Sequence, residues 1–202
     1  MPFPAFFDDA PRITLRDPLS AFLGAPTDGV MVYRYEDAVR LAGHSCPTVA
    51  GAWLMTIAAL KALWPAETPE RGGVEVLLND AQDEGVTGVI AAVAGLLTGA
   101  AGPGGFKGLA GRFGRNDLLR FEMPMSAELG FRRIDTGRIV VVHYHPELVP
   151  ADPEMRVRLQ AVLSGQGDDT DRERFAALWQ DRVRRILEDF ETESGLIRVS
   201  ET

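Results

Sequence analysis

Across residues 47–64, "PTVAGAWLMTIAALKALW", apolar positions recur with the period of a helix. Val49, Trp53, Ile57 and Leu60 share one stripe, and Leu54, Ala58 and Lys61 share another. A helix that is apolar almost all round belongs in a protein interior. Pro47 suits its first turn, where a missing N–H is harmless, and Pro65 ends it. The stretch 84–99, "EGVTGVIAAVAGLLTG", predicts a second buried helix whose small residues allow close packing.

Elsewhere the pattern predicts strands, at about 30–35, 73–80, 118–124, 130–135 and 138–145. The last two flank the turn "DTGR" and form a hairpin ending in the β-branched run "IVVVHYH". "YEDAVRLAG", 35–43, reads as a short helix stopped by Gly43. Residues 1–28 carry five prolines and are expected to be an irregular lead-in draped over the domain. After Pro150 two amphipathic helices are expected, in 152–167 and 169–194, the first capped by Asp152 with Pro153 next to it. Phe175, Leu178, Trp179, Val183, Ile186, Leu187 and Phe190 stripe the second.

These elements do not follow a strict βαβ rhythm. They predict an α+β fold: a mixed or antiparallel sheet packed against two buried helices, with a C-terminal helical hairpin. The expected division is a core over 1–150 and the hairpin over 151–202. Because the second hairpin helix is long for an appendage, with Phe175 and Trp179 on its apolar stripe, a homodimer through the hairpin is also expected.

Composition narrows the function classes. The chain has 202 residues, 46% hydrophobic and 25% charged, an ordinary globular balance. A net charge of -8 argues against nucleic acid as a partner. Both apolar segments fall short of the roughly 18–20 residues that span a bilayer, so no membrane partner is expected. A single cysteine rules out an intrachain disulfide and points to a reducing, cytoplasmic setting. "MPFPAFFDDAPR" has no basic region ahead of its apolar residues and does not read as a signal peptide.

That one cysteine lies in "GHSCPTVAG", 43–51, with one of only three histidines; the other two form "HYH", 143–145. Thiolate and imidazole are the usual ligands of zinc. Cys46 is placed at a helix N-terminus, where free N–H groups and the helix dipole favour the thiolate. His143 and His145 are two apart on a strand and so share a face. If strand end and helix start meet, His44, Cys46, His143 and His145 could converge on one divalent transition metal, most simply zinc. Tyr144, between the two histidines, should face the other way, into the core.

Other chemistry is thinner. Asp80, Asp83 and Glu84 follow a strand, where carboxylates can serve as ligands or general bases, but a solvated turn is the preferred reading. In "GPGGFKG", Gly105 and Lys107 could cradle an anionic ligand or cofactor, the competing explanation being a plain turn.

"GHSCPTVAGAWL" resembles the "HGHxCPG" signature of the FmdE-like family, proteins related to one component of the formylmethanofuran dehydrogenase complex. "LLTGAAGPGGFKGLAGRF" is similar, more loosely, to that family's "LTG" stretch and "GKGN"-like loop, and "ALWQDRVRRIL" to its Trp-containing C-terminal helix. The resemblance implies metal-binding roles for His44 and Cys46. The family's first signature histidine is Ala42 here, and the glycine after its proline is Thr48. The cysteine-rich zinc ribbon of many members has no counterpart. The expected function is a metal-dependent protein that acts on, or senses, a small molecule. The alternatives are a non-catalytic metal-binding accessory module and a thiol enzyme using Cys46 as nucleophile.

Overall fold

The computed structural model describes residues 3–191 and 195–202. Its centre is the long apolar helix. α3, Pro47–Leu63, buries Val49, Trp53, Leu54, Met55, Ile57 and Leu60 to within 1% of full burial. Such burial is worth about 1.5–3 kcal/mol per large side chain. Trp53 also donates its indole N–H to the Pro11 carbonyl at 2.9 Å, which ties the proline-rich lead-in to the core. Trp53→Ala would remove both, at about 3–5 kcal/mol. Lys61, exposed, turns its ammonium over the Phe190 ring.

Beside α3 runs α4, Thr87–Thr98, ended by Gly99 in the left-handed conformation. The two helices cover one face of a five-stranded sheet with order β4-β3-β5-β6-β7. Its strands are β3, Val74–Leu78; β4, Leu119–Arg120; β5, Leu129–Arg133; β6, Ile139–Tyr144; and β7, Ile197–Glu201. Among the described strands of this sheet, only β3 with β4 is a parallel pair, joined by the α4 crossover. Val76, Phe131, Val140 and Val142 face α3 and α4 in strict alternation along their strands. The fold is therefore α+β with a mixed sheet, as the sequence pattern predicts.

Several boundaries differ. The lead-in is not wholly irregular: β1, Ile13–Arg16, pairs antiparallel with β2, Val30–Tyr33, and α1, Pro18–Leu23, lies between them. The strand expected over 118–124 shrinks to two residues, because Glu122 takes a left-handed conformation and Pro124 has no N–H to give the ladder. α2, Tyr35–Ala42, ends at Gly43 as its sequence suggests.

The C-terminal hairpin is α5, Pro153–Leu163, with α6, Asp169–Glu188, and their caps are Asp152 and Asp168. It does not extend to 202. The chain returns to the sheet as β7 on the edge of β6, so 151–202 is not a purely helical unit. Residues 192–194, expected as the end of the second helix, lie outside the described residues, as do residues 1–2 of the lead-in. Val183, Ile186 and Leu187 of the α6 stripe are buried in the same core as α3. Among the described residues, no helix is long and apolar enough to cross a membrane.

Candidate functional site

The start of α3 is held from three sides. Cys46 is its N-cap: the backbone there is extended, and Sγ accepts the Val49 N–H at 3.4 Å. Just before it, Ser45 Oγ meets the Tyr35 hydroxyl of α2 at 3.0 Å. The Ser45 carbonyl accepts both the Trp179 indole N–H and a Gln180 amide N–H from α6. From β6, the Tyr144 hydroxyl donates to the Pro47 carbonyl at 3.1 Å. The segment that carries "HSCP" is thus the junction of α2, α6 and the sheet.

Tyr144 continues the inward-facing row of Val140 and Val142, and its ring lies against Gly51 of α3. Burial pushes its hydroxyl pKa up, so it stays a neutral donor. Strand alternation then sends His143 to the opposite face. There its ring stacks on that of His145, with centroids 6.3 Å apart, and His145 Nδ1 meets Glu147 Oε1 at 3.0 Å. His44 is exposed in the turn after α2, with Nδ1 against the Ala42 carbonyl at 2.9 Å.

The expected convergence of His44, Cys46, His143 and His145 is not the arrangement present, because the Tyr144 ring faces α3 where the two imidazoles would have to point. Among the described residues no group of three or more His, Cys, Asp and Glu side chains is placed to hold a metal ion. The donor set present does not fit a closed metal centre.

A cavity of about 410 Å³ opens at this junction. Thr48 and Tyr144 line it from α3 and β6; Asp80, Glu84 and Glu128 line it from the loops at the ends of β3 and β5. Met55, Leu78 and Ile90 supply an apolar floor. Loss of water contact pushes the Glu128 carboxyl up, while His143 and His145 nearby pull the other way. Glu128 therefore connects the cavity rim with the histidine pair, although its own side chain still reaches solvent.

Sequence reasoning favours a solvated turn for Asp80, Asp83 and Glu84, yet Asp80 and Glu84 line the cavity and Asp83 does not. It passed over Glu128, which carries no local signal, and read Tyr144 as core only. Gly105 and Lys107 lie elsewhere. Gly105 is packed against Ala101 and the Asn116 backbone, where a Cβ would clash, and Lys107 is exposed on the loop surface. Neither lines this cavity.

No family model matches this chain, and no curated protein matches it. The likeness to the FmdE-like family therefore rests on the quoted motif residues.

Proposed function

We propose that this chain is an FmdE-like protein that binds a small organic molecule in the cavity at the start of α3. The supporting observation is the lining itself. Three carboxylates, Asp80, Glu84 and Glu128, and the Tyr144 ring surround a volume in the range of small-molecule sites, with no basic side chain among the described lining residues. Such a lining selects an amine or another cationic ligand, with the apolar floor taking its carbon skeleton. A cytoplasmic setting goes with the single thiol.

Titration of wild type with a panel of small alkylamines and their neutral alcohol analogues, followed by amide NMR shifts at Thr48, Ile90 and Tyr144, tests this. Amines should move these resonances, the alcohols should do so at least tenfold more weakly, and Asp80→Asn with Glu128→Gln should abolish the difference. Equal response to both series would end the cationic assignment. If no compound moves the lining resonances, the cavity is not a ligand site.

A second proposal retains a divalent metal on His44 and Cys46 alone. It is favoured by the sulfur of Cys46 at the helix N-terminus and by the Nδ1 contact of His44, which leaves Nε2 as the ligating nitrogen. A thiol nucleophile at Cys46 has less support, since the side chain is buried and serves as a cap. The expected homodimer remains a proposal too. Phe175 and Trp179, with Met155 and Leu159, line an apolar groove on the hairpin, and light scattering distinguishes monomer from dimer.

A further inference from the structure

At the opposite end of β3 and α4 lies a second cavity, of about 540 Å³. Its walls carry Arg16 from the end of β1, Arg71 and Gly72 from the turn before β3, and Arg112, Phe113 and Arg115 from the glycine-rich loop. Among the described residues, Glu70 is the one acidic residue of the lining.

The arginines are not charge-balanced locally. Asp17, 3% exposed, caps α1 and shares its carboxylate between Arg71 Nη1 and Arg115 Nη2, each at 2.7 Å. Glu70 pairs with Arg16 at 2.6 Å. Arg112 forms no ion pair among the described residues and lies over the Phe113 ring, 4.8 Å from its centroid. Four guanidinium groups thus face two carboxylates, a surplus of two positive charges in a chain of net charge -8.

The local backbone is shaped around this charge. The Arg115 side chain is nine-tenths buried, and its Nη1 finds no hydrogen-bond acceptor among the described residues. A Cβ on Gly72 would fall 2.0 Å from that nitrogen, and one on Gly99 2.8 Å from it. Phe113 takes a left-handed backbone, with φ of 63°, uncommon for an aromatic residue. A buried guanidinium with a shared counter-charge is costly, and an anion beside it lowers that cost.

We propose that this cavity binds the phosphoryl group of a small phosphorylated compound. Arg16 and Arg112 would contact it, with Arg71 and Arg115 supplying field from behind. Guanidinium forks match phosphate oxygens bidentately, and a surplus of two charges suits a phosphate dianion better than a carboxylate. This site is independent of the cavity at the start of α3, so either can fail alone.

Calorimetric titration at low ionic strength with inorganic pyrophosphate, inorganic phosphate and acetate provides the test. Wild type should bind pyrophosphate at one site and acetate at least tenfold more weakly. Arg16→Ala and Arg112→Ala, both surface changes whose folding is checked by thermal unfolding, should each weaken pyrophosphate tenfold or more. Lys107→Ala, in the same loop but outside the cavity, should leave the affinity within twofold. Three results each overturn the proposal: no binding of millimolar pyrophosphate by wild type, unchanged affinity in the two arginine variants, or an equal loss in Lys107→Ala.

Discussion

The ring of Tyr144 rests directly on the backbone of Gly51: a Cβ built on that glycine would come 2.3 Å from Tyr144 Cε1. The ring cannot swing away freely, because its hydroxyl is bonded to the Pro47 carbonyl one turn earlier on α3. This contact sets the distance between β6 and α3 where the first cavity opens.

Gly51→Ala should therefore destabilise the protein, although alanine is the better helix former. The helix gains about 1 kcal/mol from the change, while overpacking against a pinned ring costs about 1–3 kcal/mol. We expect a net loss of up to about 2 kcal/mol in urea unfolding, the difference of those two terms. Tyr144→Phe alone should cost about 0.5–1.5 kcal/mol for the lost hydrogen bond. A Gly51→Ala variant more stable than wild type by about 1 kcal/mol would show that the ring does not pack as described.

Metal content separates the two ways of using the histidines. Zinc held by wild type after dialysis against a weak chelator should fall in Cys46→Ser and in His44→Ala, and should not change in His143→Ala or His145→Ala. The reason is that His143 leaves β6 on the face away from Tyr144, and His145, just past the strand end, stacks its ring on that of His143. Cys46→Ser should keep the fold, since serine is a preferred N-cap, whereas Cys46→Ala should cost about 1 kcal/mol. Loss of zinc in His143→Ala would reinstate a shared site.

Asp17 is the buried counter-charge of Arg71 and Arg115 and also caps α1. Asp17→Asn keeps part of the cap but leaves two guanidinium groups without their anion. Removing one partner of such a buried pair costs about 3–5 kcal/mol. The expected reading is a large drop in the urea midpoint that added salt or pyrophosphate partly restores. A loss under about 1 kcal/mol would mean that water reaches both arginines.

Glu75 on β3 provides a pH handle. The Arg132 guanidinium of β5 bonds its carboxylate at 2.7 Å and holds its pKa below the ordinary value. A depressed carboxylate pKa stabilises the fold above the unfolded-state value, and that contribution is lost as pH falls through the folded-state value. Between neutral pH and the ordinary carboxylate range, wild type should exceed Glu75→Gln in stability, and the gap should close on acidification below it. Because Arg132 is well exposed, the gap is expected to be small and to shrink with salt. A gap that widens in acid would contradict the assignment.

Local pattern was enough for α3 and α4, because an uninterrupted apolar surface at helical spacing has only one place to go, and enough for the β5–β6 hairpin, because "DTGR" separates two alternating runs. It also located Cys46 at a helix start, since proline at the first helical position is a strong punctuation. Neither β1 nor β7 could be seen that way. Each is only four or five residues long, and β7 exists by pairing with β6 more than fifty residues earlier. The direction of the histidines was in fact contained in the alternation "IVVVHYH", but which face of β6 looks at α3 is a tertiary choice, made by Val140, Val142 and Tyr144 packing on that helix. The two cavities are tertiary as well. Asp80, Glu84 and Glu128 come together only when β3 and β5 lie side by side, and Asp17 reaches Arg115, 98 residues away, only when the glycine-rich loop folds back over β1 and α1. Charge in a sequence has no address until such loops close, and their closure depends on contacts between segments that no short window contains.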